Sequence, residues 1–507
     1  MRYGFLIDQH RCIGCHACTV ACKEEHNIPV GVNRTWVKYV EKGVYPDTRR
    51  HFAVLRCNHC DDAPCIEICP TVALFRRPDG IVDFDNERCI GCKSCMQACP
   101  YDALYIDPDR NTAAKCNFDA SRVEMGYKPA CEVVCPTQAI LSGDLDDAGS
   151  TISKRIAMEK VSVRKAEKGT KPKLFYAGVD GDMLNPTMME PQDTHFWADK
   201  DPGEDLYTLR MPSSERSIPG AAREVYDVPH ITPWGKKIAS YLWTKSISAG
   251  VLLLSALFLN MGFDQDAGVL SVVSPIVSLI FLAATMALLV LDLKKPSRFI
   301  YIFTKPNLNS WLVLGGYVLT IFGILLSAWL ALMLTGNGIH PLLVWATATF
   351  AVASAGYSAF LFAQARGRDF WQSPLLFWHL LIQAIAAGAA TLTLIGSVLG
   401  VTLPLFSWLG HLLVVSLCVS LAMIFGELFM KHGAEDAVRA GELLLRGPLK
   451  KSFWLLVVGL GTVLPVVLVL WPISSLIPNI AAALLALFGL WMYEHLWVRA
   501  GQAVPLS

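Results

Sequence analysis

Fifteen of the sixteen cysteines in this 507-residue chain lie between positions 12 and 135, in four groups. Cys89, Cys92, Cys95 and Cys99, followed by Pro100, form a C-x2-C-x2-C-x3-C-P run. In such a run three thiolates hold one iron–sulfur cubane and the fourth reaches over to a second. Cys57, Cys60, Cys65 and Cys69, followed by Pro70, repeat it with a longer middle spacer; Cys12, Cys15, Cys18 and Cys22 repeat it without the proline. The last group, Cys116, Cys131 and Cys135 before Pro136, is one thiolate short. Asp119 stands where a C-x2-C pair would place its second cysteine. The remaining cysteine, Cys418, lies far away in an apolar run.

Zinc sites use cysteines in closed fours with the pairs set well apart, which is not this pattern. A disulfide scaffold is disfavoured because clusters need reduced thiols, and no stretch before Cys12 reads as a signal peptide. If the cysteine-rich part is exported, a partner must carry it. Two readings of Asp119 stay open: it ligates a labile fourth iron, or it is an ordinary carboxylate beside a three-iron cluster.

With this spacing, residues 1 to about 180, including Lys-Pro-Lys-Leu-Phe-Tyr at 171–176, resemble the four-cluster ferredoxin-like subunits of membrane-bound molybdenum oxidoreductases such as dimethyl sulfoxide, polysulfide and nitrate reductases. The resemblance implies nested pairing of the groups. One cluster takes Cys12, Cys15, Cys18 and Cys135, and its neighbour Cys22, Cys116, Cys131 and the Asp119 position. The inner pair takes Cys57, Cys60 and Cys65 with Cys99, and Cys89, Cys92 and Cys95 with Cys69. It implies three 4Fe-4S clusters and a fourth that is either 4Fe-4S with Asp119 or 3Fe-4S. It also places the Cys22 cluster nearest the membrane, so that Asp119 modifies the last station before the lipid.

Hydrophobic residues make up 53% of the chain and formal net charge is only +1, so nothing argues for nucleic acid. Mean hydropathy is +0.40, high for a soluble protein. The excess lies after residue 235. Before it, cysteine groups alternate with short β-rich segments, and Asp79-Gly80 marks a hairpin turn between Leu74-Phe75 and Ile81–Phe84. This predicts an α+β, ferredoxin-like layout done twice over residues 1–180. Residues 181–235, studded with prolines and charges, read as an extended linker that lies along the soluble domain and leads to the bilayer.

Residues 236–500 read as an all-α bundle of eight transmembrane helices, near 238–261, 268–292, 309–335, 341–364, 373–400, 404–430, 450–471 and 474–496; each is long enough for about 30 Å of hydrocarbon. Pro404 and Gly410 weaken the sixth. Lys294, Lys295, Arg298, Lys305, Arg366, Arg368, Lys431, Arg439, Arg446, Lys450 and Lys451 follow the second, fourth and sixth spans, whereas the segments after the odd spans carry no Lys or Arg. The positive-inside rule then puts a multi-pass protein in the cytoplasmic (inner) membrane with its cluster domain on the cytoplasmic side. The same charges could instead dock the soluble domain or bind headgroups.

Ionisable groups inside spans are costly and point to function. At about 1.5 Å rise per residue, Lys245 lies roughly 10 Å below the cluster side. Tyr357 and His379 lie at a similar depth, with Gln383 one turn deeper and Asp292 closing the second span. Together they suit a quinone head, which needs hydrogen-bond donors and a proton source. Taken singly, each has an ordinary reading as a snorkelling lysine, a belt tyrosine or a satisfied histidine. His379 and His411 are separated by roughly 20 Å along the membrane normal, so they cannot flank one haem.

Leu291-Asp292-Leu293-Lys294-Lys295-Pro296 with Arg298-Phe299, Tyr357-Ser358 leading to Gly367–Pro374, and Glu442–Gly447 make residues 235–500 similar to the polysulfide-reductase-type (NrfD-like) quinone-reactive anchors. That resemblance implies a menaquinone or ubiquinone pocket on the cluster side, no haem, and a quinone-contacting role for Tyr357; Lys245 has no match in it.

The chain has no Rossmann fingerprint and no pterin-binding domain, so substrate chemistry belongs to another protein. The expectation is a fused electron-transfer and anchor subunit of a respiratory oxidoreductase. It would link a separate molybdopterin-type catalytic subunit to membrane quinone through four clusters. The rivals are a redox-driven proton translocator, for which no polar chain joins Glu427, Glu494-His495 and His411, and a passive anchor.

Overall fold

The computed structural model describes residues 1–189, 220–430, 433–471 and 476–507. Strand β1 (Tyr3–Asp8) is the spine of the cysteine-rich half, and its Phe5-Leu6-Ile7 core is almost wholly buried. Eleven strands are described in all: β2 (Thr35–Val44), β3 (Asp47–Arg56), β4 (Leu74–Arg76), β5 (Val82–Phe84), β6 (Leu104–Ile106), β7 (Ala113–Lys115), β8 (Ile140–Asp144), β9 (Val161–Ser162), β10 (Leu174–Ala177) and β11 (Gly220–Tyr226). β1 pairs antiparallel with β8 and parallel with β10, giving the order β8-β1-β10-β9. The β4–β5 hairpin turns at Asp79-Gly80 as predicted, and β6–β7 forms a second short hairpin. One hairpin follows each inner cysteine run, so the ferredoxin-like unit is built twice.

The predicted linker is not uniformly extended. Gly181–Leu184 is helical, and β11 adds to the long β2–β3 hairpin as a third antiparallel strand. The backbone of residues 220–226 thus satisfies its polar groups on the sheet edge, a pairing across about 180 positions that local composition does not announce. Most of the remaining linker prolines lie outside the described residues.

Among the described residues, eight helices are long and apolar enough to cross a membrane: α1 (Lys236–Asn260), α2 (Val269–Asp292), α3 (Trp311–Leu334), α4 (Pro341–Ala363), α5 (Leu376–Leu399), α6 (Leu403–Phe429), α7 (Lys450–Leu470) and α8 (Leu476–Ala503). They follow the predicted spans closely, except that α8 runs on to Ala503. Pro404 sits in the first turn of α6, where its missing N–H costs nothing. α1 is the central helix, packed on α2, α4, α5 and α8. Its Gly250 allows the closest crossing: a Cβ there would lie 1.8 Å from the Ala384 carbonyl oxygen of α5.

The loops on one side of the bundle grip the cysteine-rich half through its backbone. Lys294 and Lys295 N–H donate to the Gly91 and Ile90 carbonyls, and Arg298 donates to those of Asn86 and Cys89 at 2.6 and 3.0 Å. Asn307 and Ser310 bond the carbonyls of Cys69 and Ile68. Arg368 donates to Gln97, Gln502 and Val504, and Gln97 to Gln502. The tail beyond α8 is buried on the soluble side, where Lys38 and Arg164 donate to the Ser507 and Leu506 carbonyls. Basic residues of these loops therefore serve the interface.

Candidate functional site: thiol cages and a membrane cleft

The cysteines gather into four cages in the nested arrangement. Cys57, Cys60, Cys65 and Cys99 line one cavity, and Cys69, Cys89, Cys92 and Cys95 line another. Cys12, Cys15, Cys18 and Cys135 interact as a third set, and Cys22, Cys116 and Cys131 as a fourth, with Asp119 acting on Cys131. Short helices begin inside the runs at Ala17, Pro64, Ser94 and Ala130, folding the thiols of each group toward one point. Burial first and neighbouring thiols second oppose ionisation: Cys92 is pushed up to about 12, with Cys69 the largest of its charged neighbours. Cys99 and Cys116 are pushed up by burial to about 11. Thiols crowded in this way become stable thiolates only around a polycationic centre, which an iron–sulfur core supplies.

Electrostatic proximity between cages gives their order. Cys18 acts on Cys131, Cys57 on Cys116, and Cys65 on Cys95. The sequence from the outside is therefore the Cys12 cage, the Cys22 cage, the Cys57 cage and the Cys89 cage. The last lies against the membrane loops through Gly91 and Cys89. This corrects the expectation that the Cys22 cage stands nearest the membrane: it is second from the outside, and Asp119 is not at the last station. Cysteine spacing alone does not say which cage faces the bundle.

Asp119, 6% exposed, heads the Ala120–Glu124 helix. Its Oδ2 accepts from Ala130 N–H at 2.8 Å, while Oδ1 has no hydrogen bond. His26 Nε2 stands 3.4 Å from that Oδ1, and burial, then Arg34, push its imidazole down to about 4, so it is neutral at pH 7. Sequence reading also passed over Arg56. It is 1% exposed between the two outer cages, donates Nη1–H to Cys131 Sγ at 3.0 Å and lies over the Phe5 ring. Its Nε and Nη2 are buried without partners. Only its position beside Cys57 could have singled it out.

A cleft opens between the Cys89 cage and the bundle. It is lined by Cys92 and Ser94 of the cage loop, by Trp234 and Tyr241, by Asp292 and Phe299, and by Tyr357. Asp292 pairs with Lys93 of the cage loop at 2.8 Å. Gly315 on α3 makes room for Tyr357, since a Cβ there would fall 2.2 Å from the ring. Lys245, fully buried, stands behind: Nζ is 4.8 Å from the Tyr357 ring centroid and donates to Ala355 O and Ser358 Oγ at 2.9 and 2.7 Å. Tyr241 OH, one turn from Lys245 on the same face, also meets Ser358 at 3.3 Å. That i, i+4 spacing was the available signal for it.

His379 and Gln383 do not line this cleft. They belong to a second buried group, in which His379 lies 3.5 Å from Glu427 and 3.3 Å from Ser420 and Gln383. Ser373 donates to Glu427 at 2.8 Å, toward the cage side. The five membrane residues therefore form two groups rather than one level set. A polar chain does join His379 to Glu427, while His411 bonds only within its own helix, to Ser407, in the contacts described.

A family described as 4Fe-4S binding domain matches residues 9–30, and one described as 4Fe-4S dicluster domain matches 49–145. The family described as Polysulphide reductase, NrfD, matches residues 225–505, more than half of the chain. The chain thus belongs to the NrfD family. Its first part is 43% identical over 195 residues to a tetrathionate reductase subunit of Salmonella typhimurium, covering 38% of this chain and 78% of that protein. It is 43% identical over 178 residues to protein NrfC of Escherichia coli K12, covering 34% and 80%. It is 42% identical over 179 residues to a polysulfide reductase component of Wolinella succinogenes, covering 34% and 93%. This NrfD-family chain therefore joins an iron–sulfur electron-transfer part to a multi-pass membrane part in one polypeptide.

Proposed function

We propose that the chain is the electron-transfer and anchor subunit of a respiratory reductase complex, connecting a separate molybdopterin-type catalytic subunit to menaquinone or ubiquinone bound in the cleft. The observation that carries this reading is the cleft itself, whose lining includes both a cage cysteine, Cys92, and Tyr357. Four iron–sulfur clusters would supply one-electron relay steps and the quinone a two-electron, two-proton reservoir. Three cages hold 4Fe-4S clusters on cysteine alone, and the Cys22 cage is completed at Asp119. The chain divides into a cluster domain over 1–180, a connecting segment over 181–235 and an anchor over 236–500 without haem.

Within the cleft, Tyr357 would offer its phenol to a bound quinone, with Lys245 Nζ 4.8 Å from its ring centroid behind it. Asp292, held by Lys93, is the acid–base group nearest the cage loop. The apolar walls exclude water around the head. Lys236, Lys237, Lys450 and Lys451 favour the cytoplasmic face for the cluster domain. Arg298 and Arg368 weigh less, because they bind the interface.

Substituting Tyr357→Phe and Lys245→Met in the complete complex tests the reading. Quinol-dependent turnover is lost while iron content and cluster EPR stay unchanged; a passive anchor predicts unchanged turnover. A second reading, proton translocation, draws on the Ser373–Glu427–His379–Gln383 chain. That chain opens toward the cage side, so it suits proton exchange with that side, and proton uptake by sealed vesicles during turnover separates the two.

A further inference from the structure

We propose that Asp119 and His26 together close the Cys22 cage with a metal ion that exchanges with solution, making the second station of the wire convertible between three-iron and four-iron forms. This rests on the reading of the four cages as cluster sites. Three thiols of the cage, Cys22, Cys116 and Cys131, are buried. At the fourth corner the carboxylate is oriented rather than free: Oδ2 is fixed by the Ala130 N–H at 2.8 Å, which leaves the buried Oδ1 without a hydrogen bond. An orphan carboxylate oxygen in such a place calls for a cation.

His26 supplies a second donor at that corner. Its Nε2 is 3.4 Å from Oδ1, and its side chain is 14% exposed against 6% for Asp119, so the imidazole lies between the corner and water. A ferrous ion held by carboxylate oxygen and imidazole nitrogen is bound less firmly than one held by thiolate sulfur, and both donors also accept zinc or cobalt. When Asp119 and His26 release one ferrous ion from a doubly positive four-iron core, a neutral three-iron core remains and no electron moves. A one-electron oxidant such as ferricyanide converts that neutral core to a singly positive one. One electron from dithionite restores the neutral core, which takes back a ferrous ion.

The test is EPR of the complete chain in detergent, with iron and sulfide counted. After ferricyanide treatment the protein shows a three-iron signal of about one spin per chain, as expected for one such site. Dithionite followed by ferrous ion removes it on reoxidation under anaerobic conditions, and zinc in place of iron gives a different paramagnet. Asp119→Cys abolishes the three-iron signal, and Asp119→Ala shows it after every reoxidation, whether or not ferrous ion was added. His26→Ala keeps the oxidised signal but raises the ferrous concentration for half-conversion about ten- to a hundredfold. A full iron complement with no three-iron signal overturns the proposal, as does a signal that ferrous ion never converts. Conversion in His26→Ala at the parent's concentration overturns the paired site. Iron and sulfide far below four clusters would instead defeat the four-cage reading itself.

Discussion

Replacing Arg56 by methionine isolates the electrostatics of the two outer cages. The guanidinium is 1% exposed, touches Cys131 Sγ at 3.0 Å and acts on Cys116 and Cys18, so one buried charge serves both sites. Reduction adds an electron to a cluster, and a fixed positive charge nearby favours that state. For a unit charge about 6 Å from a cluster centre in an effective dielectric of about 20, the interaction is roughly 3 kcal/mol. For a one-electron couple that corresponds to about 130 mV. Arg56→Met is therefore expected to lower the midpoint potentials of the Cys12 and Cys22 sites by about that amount. The Cys57 and Cys89 sites should stay where they are, and Arg56→Lys should recover most of the shift. EPR-monitored redox titration reads all four in one experiment. A shift below a quarter of the expected size, or an equal shift at every site, would refute the assignment of this charge to the outer pair.

Three further outcomes follow from contacts already described. Gly315→Ala places a methyl group against the Tyr357 ring; it should cost about 1–3 kcal/mol of stability and abolish quinol turnover with cluster EPR unchanged. Arg368→Ala removes the donor shared by Gln97, Gln502 and Val504; losing charged hydrogen bonds of about 1.5–3 kcal/mol each should expose residues 502–507 to rapid amide exchange. His230 is buried, which alone would lower its pKa, but Asp102 and Asp227 raise it to about 10. The folded chain thus holds this proton more tightly than an exposed histidine. The resulting stability is complete below about pH 6.5 and is lost as pH rises through 10. Thermal unfolding midpoints should fall over that window, and His230→Gln should flatten the fall.

The cysteine groups made the cages legible because each C-x2-C step turns the chain around one centre whatever the surroundings. The eight spans were legible because length and hydropathy are local properties. What escaped was azimuth and long-range pairing. Depth along a helix placed Lys245, Tyr357, His379 and Gln383 at one level, but only the packing of α1 against α4 and α5 decides which of them share a cleft. Tyr357 faces Gly315 and Lys245, whereas His379 turns toward Ser420 and Glu427. β11 was hidden for a related reason: its partner β2 lies far back in the chain, and its sequence carries no alternation strong enough to declare a strand. The order of the cages depends on which loop carbonyls the membrane half grips, which spacing does not encode.

One wall of the cleft is made of the cage loop, with Cys92 and Ser94 in its lining and Lys93 holding Asp292. The backbone N–H groups of Lys294 and Lys295 hold the Gly91 and Ile90 carbonyls of the same loop. One short loop thus shapes both a thiol cage and a wall of the cleft. Any displacement of that loop, from either side, is therefore felt at once by the cage and by the cleft.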